Sequence, residues 1–577
     1  MKTKSFRFGT TLVLAVLVLA VAGAAVPAQA QIDPIEPKDD SINDALAVPA
    51  NPEALPAATY TKLYDAPGAP GIQYLNGRAT AQGRDGNLYT TSQFGGTNNG
   101  TFFGVTPSGT VTVVANPSFY PQSGVTLGTD GNFYGTNLNG GPSFYGQVYK
   151  VTPAGVETVL YNFTGGTDGL YPSTAAPIEG TDGKFYGTAS GSSGNIGPST
   201  AYSITSGGVF TLLHTFTVAE GQYVYAGLVQ GTDGNFYGVA WAGGPSPGWG
   251  TIFKMTKAGA VTVLHNFTET DGYQPGYPLI QASDGNFYGA TFQSGFSGCI
   301  FKITSNGTYT VVHSFAATGL EGENPSSSLV QATDGKLYGV TNAGGTLSGG
   351  TIYSITTTGT FSVLYNFDGN NTTNGANPAS PLKQNTNGTL YGSTNIGGTG
   401  TICGSGVGCG VVYSLDVGLG PFVNLVTASG TEGAKIGILG QGFTAASVVK
   451  FGGTQATTIQ RSGATFISAT VPAGALTAAV TVTTGATTLT SPQTFKLTPT
   501  FPSFSPTSGP VGTPVVLTGT GLTQTTKVTF GGVRATTVTV NSDTQVTANV
   551  PTGARTGKIV ITTLGGSVKS ATNFTVN

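Results

Sequence analysis

Apolar and polar residues alternate through AVTVLHNFT, residues 260–268, and the alternation returns three more times before the next such run. LIQAS at 279–283 follows a polar loop, then NFYGATF at 286–292, then CIFKITS at 299–305. Short period-two runs of this kind predict half-buried strands. Asp284-Gly285 joins the second run to the third, and supplies the positive φ angles that a two-residue hairpin needs.

The phrase around that turn recurs as GRDGNLYT (83–90), GTDGNFYG (128–135), GTDGKFYG (180–187), TDGNFYG (232–238), ASDGNFYG (282–289), ATDGKLYG (332–339) and NTNGTLYG (385–392). Its turn residues Asp85, Asp130, Asp182, Asp233, Asp284, Asp334 and Asn387 are spaced by 45, 52, 51, 51, 50 and 53 residues. A strand-rich period of about fifty residues is a signature of propeller blades. Strands of the VTVLHNF type begin near Thr61, Val111, Glu157, Phe210, Val261, Tyr309 and Phe361, and triplets of the other three strands are equally numerous. The first lone strand, TYTKLYD at 59–65, precedes the first triplet, and the last triplet ends at GVVYSLDV, 410–417. A seven-bladed ring in which the N-terminal strand completes the last blade is therefore expected; closure leaves only short, protected edges.

Composition supports an all-β fold. Gly is frequent at 90 residues, charged residues make up 8 %, and hydrophobic residues 38 %. A formal net charge of −2 gives no general attraction to nucleic acid. Lys2, Lys4 and Arg7, the apolar run Leu12–Ala25 and the small residues of Ala28-Gln29-Ala30 read as a signal peptide, 1–30, cleaved after Ala30. That run is too short to span a bilayer, so a secreted or cell-surface protein with no transmembrane segment is expected. Residues 31–58, rich in Pro and acids, read as a flexible linker.

Cys403 and Cys409 in TGTICGSGVGCG are placed to pair in an oxidising compartment. No His lies near them for a zinc site, and no cofactor is expected. Cys299 stands where sister repeats have Thr251 and Thr351, and reads as a small buried strand residue. His214, His265 and His313 share one repeat position with Tyr64, Tyr161 and Tyr365. A position shared by His and Tyr is a packing position with a polar tip, leaving few candidates for acid–base chemistry.

DGNFYG, the Gly doublet with Gly-Thr-hydrophobic-Phe (AGG…WGTIFKM, 242–255) and TVLHNF together resemble GloVer-repeat (choice-of-anchor tandem repeat) proteins over roughly 59–425. The resemblance implies an exported bacterial propeller and carries no catalytic residues. The doublets Gly95-Gly96, Gly140-Gly141, Gly243-Gly244, Gly344-Gly345 and Gly397-Gly398 are similar to kelch repeats, but the Trp that follows in kelch blades is mostly missing.

Residues 426–497 and 498–577 change texture, with short alternating strands at about ten-residue spacing as a β-sandwich requires. Gly440-Gln441-Gly442-Phe443 and Gly519-Thr520-Gly521-Leu522, and the Val-x-Phe-Gly-Gly turns at 449–453 and 528–532, resemble TIG/IPT immunoglobulin-like domains. The resemblance implies spacers or adhesive stalks. Lys527, Arg534, Arg555, Lys558 and Lys569 are too scattered for a phosphate footprint.

Two features map to the loops at the ring's mouth. An acid-Gly pair recurs between blades: Asp168, Glu220, Asp271, Glu321 and Asp368, each followed by Gly. These carboxylates read as repeated turn chemistry or as a site for a basic ligand or calcium. Trp241 and Trp249 flank one loop, WAGGPSPGW, and are the only Trp residues. They read as plugs between blades or as a platform for a sugar ring. The expected function is binding or adhesion, to a glycan or surface protein. A polysaccharide-active lyase or glycosidase is the alternative, and a structural envelope component a further one.

Overall fold

A computed structural model describes residues 58–577, apart from short segments at 69–71, 74, 76–79, 96–99, 118–120, 122, 192–197, 293–296, 317, 371, 401–402 and 404–407. The expected signal peptide and nearly all of the linker lie outside the described residues, as does Gly96.

Each letter of the recurring phrase has a physical role. In six turns the Tyr hydroxyl donates to the carboxylate of the Asp four residues earlier, at 2.7–2.8 Å. The other carboxylate oxygen accepts the backbone N–H two residues on, which closes an Asx turn. Gly at the third position takes φ of +77° to +97°. The Phe stacks on the Tyr of the preceding blade: Phe185 on Tyr134 at 3.7 Å, Phe236 on Tyr186 at 4.1 Å, Phe287 on Tyr237 at 3.8 Å. The last Gly makes room for an aromatic ring from the neighbouring strand. A Cβ at Gly187 would lie 2.5 Å from the Tyr202 hydroxyl, and one at Gly339 2.5 Å from Tyr353 Cζ. The phrase thus builds a turn, its cap and both packing surfaces of a blade.

Seven such blades form among the described residues. In each, strands a to d are antiparallel; blade four has Leu228–Gln230, Phe236–Ala240, Thr251–Met255 and Val261–Asn266. Strands b and c are almost wholly buried, whereas the d strands hold only half-buried and exposed residues, which marks d as the outer edge. The last blade takes its d strand from the front of the chain. Thr59–Asp65 pairs antiparallel with Val411–Asp416, Thr59 opposite Asp416.

A ring of side-chain amides ties the inner strands together. Gln230, Gln281, Gln331 and Gln384, at the ends of a strands, each accept the backbone N–H of the Thr or Ser in the preceding blade's a–b turn, at 2.8–3.1 Å. Gln82 does the same for Thr386 at 3.0 Å, joining blade one to blade seven. Glu179 replaces the amide at one junction and accepts both Thr129 N–H and its hydroxyl. At the junction of blades one and two Leu127 stands in this register, and the Arg84 guanidinium bonds Thr129 O instead.

The two C-terminal units share one sandwich topology. In the first, Asn424–Leu425, Lys435–Leu439, Phe466–Thr470 and Ile459–Ser462 form one sheet. Ser429–Gly430, Thr487–Leu497, Ala478–Thr484, Val448–Phe451 and Thr454–Gln455 form the other. The second unit repeats this order strand for strand between Thr500 and Val576. The Gly-Gly turns are two-residue hairpins with both residues at positive φ: +58° and +93° at Gly452-Gly453, +53° and +91° at Gly531-Gly532. Val423 and Leu425 already belong to the first sandwich core, a few residues ahead of the expected boundary at 426.

Candidate functional site

The two ends of the ring differ. At one end lie the a–b turns, and the first sandwich is docked on them. Thr465 Oγ1 donates to Arg84 O in blade one at 2.8 Å, and the Arg84 guanidinium lies over the Phe466 ring at 4.5 Å. Gln441 Nε2 donates to Thr386 Oγ1 in blade seven at 2.9 Å. Lys496 Nζ donates to Thr232 O in blade four at 2.6 Å. Blade four stands across the ring from blades seven and one, so the sandwich lies across this mouth of the channel. Thr386 is 0 % exposed and Asn387 half-buried, while the equivalent Thr181 and Asp182 are exposed. Docking partly desolvates this turn, and Asn387 stands in it in place of Asp; a carboxylate loses more on desolvation than a neutral amide. The first sandwich therefore packs on the ring through several of its blades.

The opposite end carries the d–a and b–c loops. Here the acid-Gly pairs are committed to local structure. The Asp168 carboxylate accepts Thr164 N–H at 2.8 Å, Thr164 Oγ1 at 2.6 Å and the Tyr161 hydroxyl at 3.0 Å. Burial works against its charge, yet these bonds hold its pKa below the usual carboxylate value. Glu220 caps Thr217 in the same way. His214 Nε2 lies 3.1 Å from Glu220, His265 Nε2 3.1 Å from Asp271, and His313 Nε2 3.2 Å from Glu321. Each carboxylate thus serves the His or Tyr of its own blade, and among the described residues no three His, Cys, Asp or Glu side chains converge on a metal site. The rings of those residues stack outward on the next blade: His265 on Tyr309 at 4.0 Å, His313 on Phe361 at 4.1 Å, Tyr161 on Phe210 at 3.9 Å. Burial lowers the pKa of His265 and His313.

Asp368 is corrected outright. Gly169, Gly221, Gly272, Gly322 and Gly375 occupy equivalent places, each at positive φ with a Cβ position blocked by strands b and c. Asn374, not Asp368, therefore matches the other acids; Asp368 ends the d strand Phe361–Asp368 and accepts Asn370 N–H. The same register explains Cys299. Thr200, Thr251 and Thr351 donate to the carbonyls of Asp168, Glu220 and Glu321, and Cys299 Sγ faces the Asp271 carbonyl at 3.7 Å. Cys403 and Cys409 form a disulfide.

The two Trp residues do not share one platform. Trp249 packs against Tyr273 at 4.7 Å and against the core between blades four and five. Trp241 lies edge-on to Tyr223 at 6.0 Å. A methyl at Gly276 in blade five would have only Trp241 Cδ1 at 3.8 Å, the Tyr225 hydroxyl at 3.9 Å and Gln274 O at 4.0 Å around it. Trp241 and Tyr225 thus flank a niche at Gly276 that would take a methyl group at van der Waals distance. Tyr225 and Tyr277 lead into the a strands of blades four and five, and burial raises both phenols, Tyr277 to about 12. Blade six has the small Ser326 and Ser327 in this stretch. Below them, Tyr171, Tyr223, Gln274, Asn324 and Asn377 all adopt φ of +52° to +57°, a strained choice for bulky residues that fixes the d–a loops. Sequence reading missed Tyr225 and Tyr277; the signal was two Tyr in a segment whose sisters are small.

With both ends in view, residues 173–407 match the Gloeobacter/Verrucomicrobia repeat. Residues 173–407 of the ring carry that repeat. Residues 499–576 match the IPT/TIG domain, and the first sandwich repeats its strand order. Blades one and two lie outside the Gloeobacter/Verrucomicrobia match but carry the same strands. A comparison with curated proteins gives no match. Solved structures similar to the chain include a fungal alcohol oxidase in complex with copper, at 12 % identity and TM-score 0.41, covering 90 % of this chain and 100 % of that one. The extracellular domain of a putative hybrid two component system from B. thetaiotaomicron is similar at 10 % identity and TM-score 0.40, covering 88 % and 65 %. A surface glycan-binding protein from Prevotella bryantii is similar at 15 % identity and TM-score 0.21, covering 27 % and 38 %. Among the described residues no helix is long and apolar enough to cross a membrane.

Proposed function

We propose that this protein binds a carbohydrate at the open mouth of its ring, outside the cell, with one sugar ring seated between Trp241 and Tyr225. The observation that carries the reading is the half-buried indole of Trp241 and phenol of Tyr225 on either side of Gly276, at the end of the ring away from the docked sandwich. Aromatic faces pair with the C–H face of a pyranose, while the phenol hydroxyl serves as a polar handle. The acids at this end are spent on their own turns, so binding rather than bond cleavage is the reading favoured.

A screen of glycans and polysaccharides against the mature chain tests it. Trp241→Ala should cost roughly tenfold in affinity, about 1.4 kcal/mol, and Gly276→Leu, which fills the niche, should abolish binding. Affinity unchanged in both variants would remove the site. Substrate shortened on long incubation would replace binding with the enzyme reading.

A further inference from the structure

Every residue other than glycine that takes a positive φ among the described residues lies on the loops of the open end. One repeat position accounts for most of them. In blades six and seven it holds Asn324 and Asn377, and Asn tolerates this region best after glycine. In blades three and four it holds Tyr171 and Tyr223, at +52° and +56°, against the preference of a bulky side chain. A second position lies in the b–c loops. It is Gly248, Ser348 and Gly408 in blades four, six and seven, at +82°, +62° and +80°. In blade two it is Phe144, at +58° and 65 % exposed. Neither backbone preference nor burial accounts for a phenyl ring there.

Hydrogen bonds set these residues in order around the mouth. Tyr171 N–H donates to the carbonyl of Tyr145, the residue after Phe144, at 2.8 Å. The Tyr171 carbonyl accepts Ser190 N–H at 3.0 Å, so Tyr171 bridges the b–c loops of blades two and three. The Tyr145 and Tyr171 rings meet edge-on at 6.3 Å. At the next junction the Tyr223 carbonyl accepts Trp241 N–H at 3.4 Å. Aromatic residues thus follow one another from blade two to blade four, whereas the junctions of blades five with six and six with seven hold Ser297 with Asn324 and Gly349 with Asn377. The loop segments 138–147, 163–178, 216–228, 240–250 and 267–279 contain no Lys or Arg, and their charged residues are Asp168, Glu220, Glu269 and Asp271. Such a surface repels an acidic polymer.

We propose that the arc from Phe144 through Tyr171 and Tyr223 to Trp241 seats an uncharged, β-1,4-linked glycan chain several sugars long. The inference rests on the carbohydrate reading and deepens it from one sugar to a chain. Equatorial links keep the C–H faces of successive sugars along a flat ribbon, which successive aromatic rings can meet. Residues held in a strained conformation on one half of a pseudo-symmetric face mark the half that has a task.

Calorimetric titration of the mature full chain with β-1,4-linked oligomers of glucose, xylose and N-acetylglucosamine, two and six units long, tests the proposal. At least one series should bind, its six-unit member about tenfold or more tighter than its two-unit member. Phe144→Gly and Tyr171→Asn, each installing a residue of sister blades, should remove most of that gain and leave the two-unit affinity unchanged. Phe144→Gly should also melt no lower than the parent, because glycine takes this φ freely; lost affinity then reports a lost contact. Trp241→Ala should weaken both lengths. Equal affinity for the two lengths, or a gain kept by both variants, overturns the chain and leaves the single-sugar niche standing. An equal gain with α-1,4-linked glucose overturns the linkage. Failure of every oligomer to bind the parent overturns the proposal as a whole, while a Trp241-dependent hit in the wider glycan screen would still uphold the niche.

Discussion

At one end of the ring, the a–b turns of blades seven and one meet a sandwich; at the other, Tyr223, Tyr225, Trp241 and Tyr277 of blades four and five cluster with no sandwich contact among the described bonds. Both ends depart from the repeat, but in different directions. At the covered end blade seven replaces charge with a neutral polar group, Asn387 for Asp, because an amide survives desolvation, while blade one keeps its exposed Asp85. The open end replaces small residues with half-buried aromatic ones that carry polar tips. Departures that lower charge thus mark a permanent interface, and departures that add amphipathic surface mark a place for a visitor.

Exchanging the turn residues breaks this comparison most sharply. Asn387→Asp, under the sandwich, should cost about 1–3 kcal/mol in denaturant unfolding, while Asp182→Asn, in an exposed turn, should cost less than half of that. Equal costs would mean that docking does not explain the substitution. A smaller effect is expected from Gln441→Ala and Lys496→Ala, each about 1 kcal/mol. Together they should speed proteolysis at 418–423 without changing affinity at the mouth, and a change in ligand affinity would show that the two ends are coupled.

The smallest effect concerns the junction of the sandwiches, where Gln524 and the Thr477 backbone exchange hydrogen bonds at 2.7 and 3.4 Å. Burial and the hydrogen bond to Asp543 push Glu432 up to about 7. A carboxyl raised in the folded state contributes stability that is full below about 4.5 and lost as pH rises through about 7. The melting temperature of the second sandwich should fall across that window, modestly because the pair is half exposed. Glu432→Gln should flatten the curve, and an unchanged slope would remove the pair from the junction.

Much of the ring was legible because its signals are local. The Asp-Gly turns, the alternation and the spacing of the phrase come from neighbours in sequence, and the closing strand at 59–65 followed from counting. The carboxylates and the histidines were each visible, but their pairing was not: Glu220 and His214 meet only once a d strand ends and its loop turns back. Asp368 misled because an acid-Gly dipeptide looks alike in any loop, whereas the true equivalent, Asn374, is fixed by a glycine lodged between strands b and c. Docking was hidden for a stronger reason. Arg84 and Phe466 are far apart in the chain, and their only trace was two irregular copies of a turn otherwise repeated faithfully. Trp241 was visible as an exception, but its partner Tyr225 shows only when the blades are aligned and the small residues of its sister segments, such as Ser326, stand beside it.

The strand that seals the ring sets the order in which the molecule can assemble. Thr59 finds Asp416 only after every intervening blade has been synthesised. Until then the first strand is an unsatisfied edge, and the contact order of this single pairing is close to the length of the whole ring. A nascent chain truncated before residue 411 would hold six blades with an orphan strand at the front, ready to pair with any free edge nearby. Closure is thus a quality checkpoint: only a chain that has been made through its seventh blade can hide its beginning.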